Sequence, residues 1–176
     1  VEVFRAEGGG GGEDAGEEGA YSLLRILTPL IKFRACRDAR KVAGDAMEVR
    51  GGCGYIEEWS DPRVLRDAHL GSIWEGTSNI VALDVLRAIQ REDALPALRA
   101  HVEALLADGT PVSPALAALQ AERIERAFAF AESASASNTS EQARQVASAL
   151  YHVVTMAGMR WEAKNAAMPI RARLAD

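Results

Sequence analysis

The sequence predicts an all-α fold, and three observations carry that prediction. No stretch of the 176 residues alternates apolar and polar side chains with period two. Pairs in which a capping residue precedes proline, a helix-start signal, recur at Thr28-Pro29, Asp61-Pro62 and Ser113-Pro114. Between them, Ala35, Ala39, Val42, Ala46 and Val49 return at helical spacing. Helices patterned in this way bury one face against each other, which points to a helical bundle.

Taken in order, residues 1–19 come first. "EGGGGGEDAGEEG" (7–19) has the composition of a flexible charged linker. Glu2, Glu7, Glu13, Asp14, Glu17 and Glu18 against Arg5 place the whole net charge of −5 in this segment. The glycine run is not a phosphate loop, because no apolar strand precedes it and the acids that follow would repel a pyrophosphate. The remaining body is near neutral, so no basic field on the scale of a domain drives nucleic-acid binding.

From Tyr21 onward the chain reads as successive helices. One opens at Thr28-Pro29, runs to Arg50 and stops at Gly51-Gly52, with the small residues of the 35–49 seam allowing close packing. Arg34, Arg37, Arg40 and Lys41 read as a solvated face pairing with Asp38 and Asp45. Asp61-Pro62 starts a short helix that ends near Leu70-Gly71. Thr77 or Ser78 caps the next, which carries Ile80, Val81, Leu83, Val85, Leu86 and Ile89 and ends at Arg91-Glu92. Pro96, Ser113-Pro114 and the capping box Asn138-Thr139-Ser140-Glu141 open three more, and Pro169 closes the last.

Several function classes fall away. No run of about 18 uncharged apolar residues is present to span a membrane. No signal peptide opens the chain, and its start at Val1 points to a piece of something longer. Cys36 and Cys53 lack CxxC spacing, which suggests a reducing, cytoplasmic setting. His69, His101 and His152 stand apart without metal-ligand spacing and read as packing or surface residues. Phe128, Phe130, Tyr151 and Trp161 read as core or interface anchors. The 48% hydrophobic content is enough for a sizeable core.

The informative stretch is "GSIWEGTSNI" (71–80). A lone carboxylate, Glu75, lies between Trp74 and a helix start. Ile73 and Trp74 would desolvate it and raise its basicity, making it a base for proton abstraction beside a carbonyl. Alternatively, it is a loop carboxylate at a helix N-terminus, worth about 0.3–1 kcal/mol. Upstream, Gly52 and Gly54 permit positive φ and a close approach of backbone to a ligand.

In order along the chain, "GGCGYIEE", "RVLRDAHL" and "GSIWEGTSNI" resemble the C-terminal motif of flavin-dependent acyl-CoA dehydrogenases. The likeness spans roughly residues 20–92, and the 84 residues that follow are most similar to the alkylation-response, AidB-type branch. The resemblance implies a part of the helical bundle over 20–92 and a helical extension over 93–176. It implies FAD as cofactor, an acyl-CoA substrate, an electron-transfer flavoprotein or similar acceptor, and a homodimer or homotetramer. Glu75 falls on the base that removes the acyl α-proton, and its N–H on a contact to the thioester carbonyl. Trp74 and Gly76 fall on the substrate pocket. Arg87 faces the CoA moiety.

Thr77 and Asn79 fall on positions that contact FAD, although Asn79 is often Gln in the family. Gly51, Gly52 and Gly54 match the glycine turn that approaches the FAD of a neighbouring subunit. Duplex DNA binding is associated with the AidB-type extension, and here Arg160, Lys164, Arg171 and Arg173 face only Glu162 between 160 and 174. A structural oligomerisation module is the other alternative. An N-terminal helical part and a middle β-domain complete such enzymes, so this polypeptide is expected to be inactive alone and to retain little FAD.

Overall fold

Leu23, Ile26, Leu30 and Phe33 recur every three or four residues and define the buried stripe of the longest helix. In this computed structural model, which describes residues 13–137 and 140–165 with side chains from Gly19 onward, that helix is α1, Glu13–Val49. It starts inside the segment expected to be a linker, so residues 13–19 are helical. Residues 1–12 lie outside the described residues.

Thr28-Pro29 is therefore not a helix start: Pro29 is buried in the interior of α1. Proline there removes the N–H that would reach the carbonyl of Arg25 and costs about 3 kcal/mol on intrinsic propensity. The Leu23–Phe33 stripe, buried on both sides of Pro29, offsets that cost at about 1.5–3 kcal/mol for each large side chain taken out of water. Thr28, instead of capping, donates its hydroxyl hydrogen to the Leu24 carbonyl (2.8 Å).

The seam expected from Ala35 to Val49 lies on the opposite side. Ala35, Ala39 and Ala46 are exposed, as are Val42 (66%) and Val49 (87%). The expected pairs of the basic face form, Arg34 with Asp38 at 3.1 Å and Lys41 with Asp45 at 2.6 Å. Arg34, Arg37 and Arg40 are nevertheless half-buried rather than solvated, Arg37 lying 5.5 Å over the Phe33 ring.

After α1 come α2 (Gly52–Tyr55), α3 (Asp61–Leu70) and α4 (Ser78–Glu92). The last two match the expected boundaries. Ser60 occupies the cap position of α3, and Pro62 sits in the first turn where its missing N–H costs nothing. On α4, Val81, Val85, Leu86 and Ile89 are buried, whereas Ile80 is half exposed.

The remaining helices are α5 (Ala94–Ala107), α6 (Pro114–Ala136) and α7 (Ala143–Asn165), the last preceded by a 3-10 turn at Ser140–Gln142. Ser113 caps α6 as expected, its Oγ accepting from Leu116 N–H at 3.3 Å. Asn138 and Thr139 of the expected capping box, and Pro169 with Arg171 and Arg173, lie outside the described residues.

The helices of 93–165 do not form a separate layer. α5 and α7 pack on α1, and α6 and α7 pack on α4. Leu30, Phe33, Val85, Leu98, Phe128, Val146 and Leu150 share one core. Phe128 is the largest fully buried side chain, with the Arg99 guanidinium 4.3 Å above its ring. Among the described residues no helix is long and apolar enough to cross a membrane, and no group of His, Cys, Asp and Glu side chains could hold a metal.

Candidate active site

Two turns joining helices carry the residues the sequence singles out: one follows the C-terminal end of α1, and the other lies against its middle, at Lys32 and Cys36. The first is the glycine turn. Gly51 has φ +58, a left-handed conformation that glycine adopts without penalty, and it breaks α1 from α2. Gly54 has a different reason to lack a side chain: a Cβ there would stand 2.1 Å from the Met47 carbonyl oxygen. Its close approach is thus to the end of α1, and not to an open ligand surface as expected. Gly52 has no positive φ, and a Cβ on it or on Gly51 would meet nothing within 4 Å.

The second turn joins α3 to α4. Ile73 and Trp74 donate their N–H groups to the Leu70 carbonyl at 2.9 and 2.8 Å, which wraps the chain back over the end of α3. Glu75 then takes φ +55 and Gly76 φ +111. A left-handed backbone is natural for glycine but costs a glutamate about 1–2 kcal/mol, so other contacts must hold it. Thr77 is extended and sits at the cap position of α4, without a side-chain hydrogen bond to the helix.

Glu75 is not the dry residue expected. Its side chain is 74% exposed. Ile73 and Trp74, the residues expected to desolvate it, are themselves 64% and 65% exposed. Their side chains point to no wall within this chain, so the burial that makes a strong carboxylate base is not supplied by residues 19–165.

What the structure brings to Glu75 is a cleft of about 440 Å³ between α1 and α4. Arg25, Thr28, Lys32, Glu75, Ile80, Asp84 and Arg87 line it. Arg87, predicted at the site, is there and exposed; Trp74 is not among the lining residues. Thr77 and Asn79 are exposed at the start of α4. Gly51, Gly52 and Gly54 lie just beyond the end of α1 at Val49, which is 17 residues and roughly 25 Å from Lys32 at the rise of an α-helix.

Arg25, Lys32 and Asp84 were missed by sequence reasoning. Their sequence signal is partial: Arg25 and Lys32 are seven apart on one helix and Asp84 is three before Arg87, but that spacing does not place Lys32 beside Glu75. Arg25 grips both oxygens of Asp84 (2.8 and 2.9 Å) and donates Nε–H to Glu92 (3.0 Å). These bonds, led by Asp84, hold its guanidinium more firmly protonated than usual. Lys32 donates to the Trp74 carbonyl at 2.6 Å, with Nζ 3.8 Å from Glu75 Oε2.

At the far end of the chain, Arg160 and Lys164 are engaged within the molecule. Arg160 donates to the Thr110 carbonyl (3.0 and 3.1 Å) and to Gln120 Oε1 (3.0 Å). Lys164 pairs with Asp108 at 2.9 Å, and that bond holds the Asp108 carboxyl below its ordinary value.

Residues 12–90 match the family described as acyl-CoA dehydrogenase, C-terminal domain. Over 85 residues the chain is 42% identical to acyl-CoA dehydrogenase family member 11 of Caenorhabditis elegans, covering 48% of this chain and 14% of that protein. Over 68 residues it is 46% identical to the putative acyl-CoA dehydrogenase AidB of Escherichia coli, covering 39% and 13%. The crystal structure of Caenorhabditis elegans ACDH-11 in complex with C11-CoA superposes with a TM-score of 0.73 at 29% identity, over 89% of this chain and 28% of that one. The chain therefore spans well under a third of the length of each of these proteins, and the third likeness reaches into the helices beyond residue 92.

Proposed function

Because residues 12–90 match the acyl-CoA dehydrogenase C-terminal domain family, we propose that the chain acts as the C-terminal helical part of a flavin-dependent acyl-CoA dehydrogenase. The observation that carries this reading is Glu75, held with a left-handed backbone at the mouth of the α1–α4 cleft. An acyl α-C–H is a very weak acid, so its removal needs a positioned base and a polarised thioester acting together. Glu75 is the base: its carboxylate accepts the α-proton. Its backbone N–H, presented by the turn, donates to the thioester oxygen where negative charge grows. Trp74 and Gly76 border the acyl group, and Arg87 on the cleft rim meets the anionic CoA end.

The residues present fit FAD as walls. Gly51 and Gly52 offer backbone with open space beyond it, and Thr77 and Asn79 present exposed polar side chains at the start of α4. The bound flavin supplies the acceptor for the β-hydrogen, which leaves as hydride. The separation of the glycine turn from Glu75 suits contact with the flavin of a second subunit. The exposed apolar stripe of Tyr21, Leu24, Ile31, Val42 and Val49 gives that subunit a surface to cover. Water is kept from Glu75 by the parts that this chain does not contribute. Duplex DNA binding is not favoured, since Arg160 and Lys164 already serve internal partners.

The test is a chimera in which this chain replaces the corresponding segment of the Caenorhabditis elegans relative. It is purified, assayed for retained flavin, and titrated anaerobically with short, medium, long and branched acyl-CoAs. Bleaching of the flavin absorbance by one class supports the reading and names the substrate class. Flavin that is retained but never bleached would favour the structural alternative.

A further inference from the structure

We infer that Lys32 is a positioning residue for the Glu75 turn, an inference that rests on the proposed role of Glu75. Three observations meet at this side chain. Its ammonium crosses from α1 to the α3–α4 connection and donates to the Trp74 carbonyl at 2.6 Å, a short charge-assisted bond. The same nitrogen is 3.8 Å from Glu75 Oε2. The peptide it grips joins Trp74 to Glu75, the residue whose φ of +55 is disfavoured for a side-chain-bearing amino acid.

The surroundings of the turn give Lys32 this task. Ile73 and Trp74 point their side chains to solvent and supply little packing to fix the turn. Of the side-chain bonds joining it to α1, the other runs from Ser72 Oγ to the Cys36 carbonyl and is much longer, at 3.4 Å. Lys32 itself is well placed to be rigid, with only 25% of its side chain exposed and its base on the buried stretch of α1 next to Leu30 and Phe33. The other charged groups of the cleft leave it that role. Arg25 is committed to Asp84 and Glu92, and Arg87 lies on the rim. One ammonium thus fixes both the backbone that presents the base and the direction of its carboxylate.

The chain itself is tested first, by amide exchange at Ile73 and Trp74, whose N–H groups close the turn, against Val85 in the core. Lys32→Met keeps the aliphatic stem and removes the charge. Exchange at Ile73 and Trp74 should quicken about 10-fold, the scale of one lost hydrogen bond to a charged donor, while Val85 is unchanged. Lys32→Arg should restore most of the protection. Unchanged exchange at the turn in Lys32→Met overturns the inference.

The chimera then asks whether the reaction feels it. Lys32→Met should lower kcat about 10-fold or more with KM for the acyl-CoA nearly unchanged, and Lys32→Arg should recover much of kcat. An active chimera whose kcat ignores Lys32→Met reduces Lys32 to a surface tether and overturns its positioning role. A wild-type chimera that never bleaches refutes the dehydrogenase reading, while the exchange result still decides whether Lys32 fixes the turn.

Discussion

Arg25 on α1 holds both carboxylate oxygens of Asp84 on α4, at 2.8 and 2.9 Å, and so ties together the two helices that form the cleft beside Glu75. Glu92 accepts a third bond from the same guanidinium at 3.0 Å. With about a quarter to a third of each side chain exposed, this is a partly buried network rather than a loose surface pair. Arg25→Met leaves two carboxylates facing each other without their cation. We expect a loss of about 1–3 kcal/mol in stability, read from the denaturant midpoint. A midpoint within error of the wild type would show that the network is not holding α1 to α4.

The glycine turn gives a second prediction by contrast. Gly54→Ala places a methyl 2.1 Å from the Met47 carbonyl oxygen, so α2 must shift or the helix end must open. A cost of about 1–3 kcal/mol is expected, the range for overpacking. Gly52→Ala meets nothing within 4 Å and should leave stability almost unchanged. Equal effects in thermal melts of the two variants would contradict this assignment.

A third prediction concerns the helices after residue 92. Leu98, Val102, Phe128, Val146 and Leu150 lie in the same core as Leu30, Phe33 and Val85. Cutting the chain after Glu92 uncovers that core, at about 25 cal/mol for each Å² of apolar surface returned to water. The shortened piece should lack a cooperative thermal transition. A sharp melt with dispersed amide resonances would show that the part up to Glu92 folds without 93–176.

Fold and site were legible in the sequence to different degrees, for physical reasons. Ser113-Pro114 and Asp61-Pro62 announced helices because their signals are local and nothing in the surrounding packing opposes them. Thr28-Pro29 carries the same signal, yet the burial of Leu23 and Ile26 before it and Leu30 and Phe33 after it carries α1 through the proline. Starting the helix at Thr28 also cut Leu23 and Ile26 from the pattern. The Ala35–Val49 stripe then looked like the buried face, because periodicity gives a stripe but not its partner. The position of Glu75 in a turn before α4 was readable from Gly76, Thr77 and Ser78. Its exposure was not, since desolvation depends on what packs over Ile73 and Trp74, and their neighbours in sequence do not specify that. Lys32 went unnoticed because it lies 43 residues before Glu75, where only the fold brings the two together.

Part of the pH dependence of stability follows from His101. Burial pushes its imidazole below the ordinary value near 6.5. The unfolded chain thus takes up the proton at higher pH than the folded one. The stabilisation is complete above about pH 6.5 and declines as pH falls through that value towards the lowered one. Urea unfolding between pH 7.5 and 5 or so should show this decline, and His101→Gln should lessen it, the rest belonging to His152, whose imidazole is likewise pushed down by burial. A slope that is unaffected by His101→Gln would assign the decline to other groups.

Glu75 is the base at the centre of the proposed reaction, and its replacement by glutamine is the most direct test. Glutamine keeps the size and polarity of the side chain but cannot accept the α-proton. In the flavin-loaded chimera, mixed anaerobically with the acyl-CoA that bleaches the wild type fastest, Glu75→Gln should retain flavin and slow bleaching about 10²–10⁴-fold. Bleaching at the wild-type rate by a variant that holds its flavin would contradict the account and place the base elsewhere.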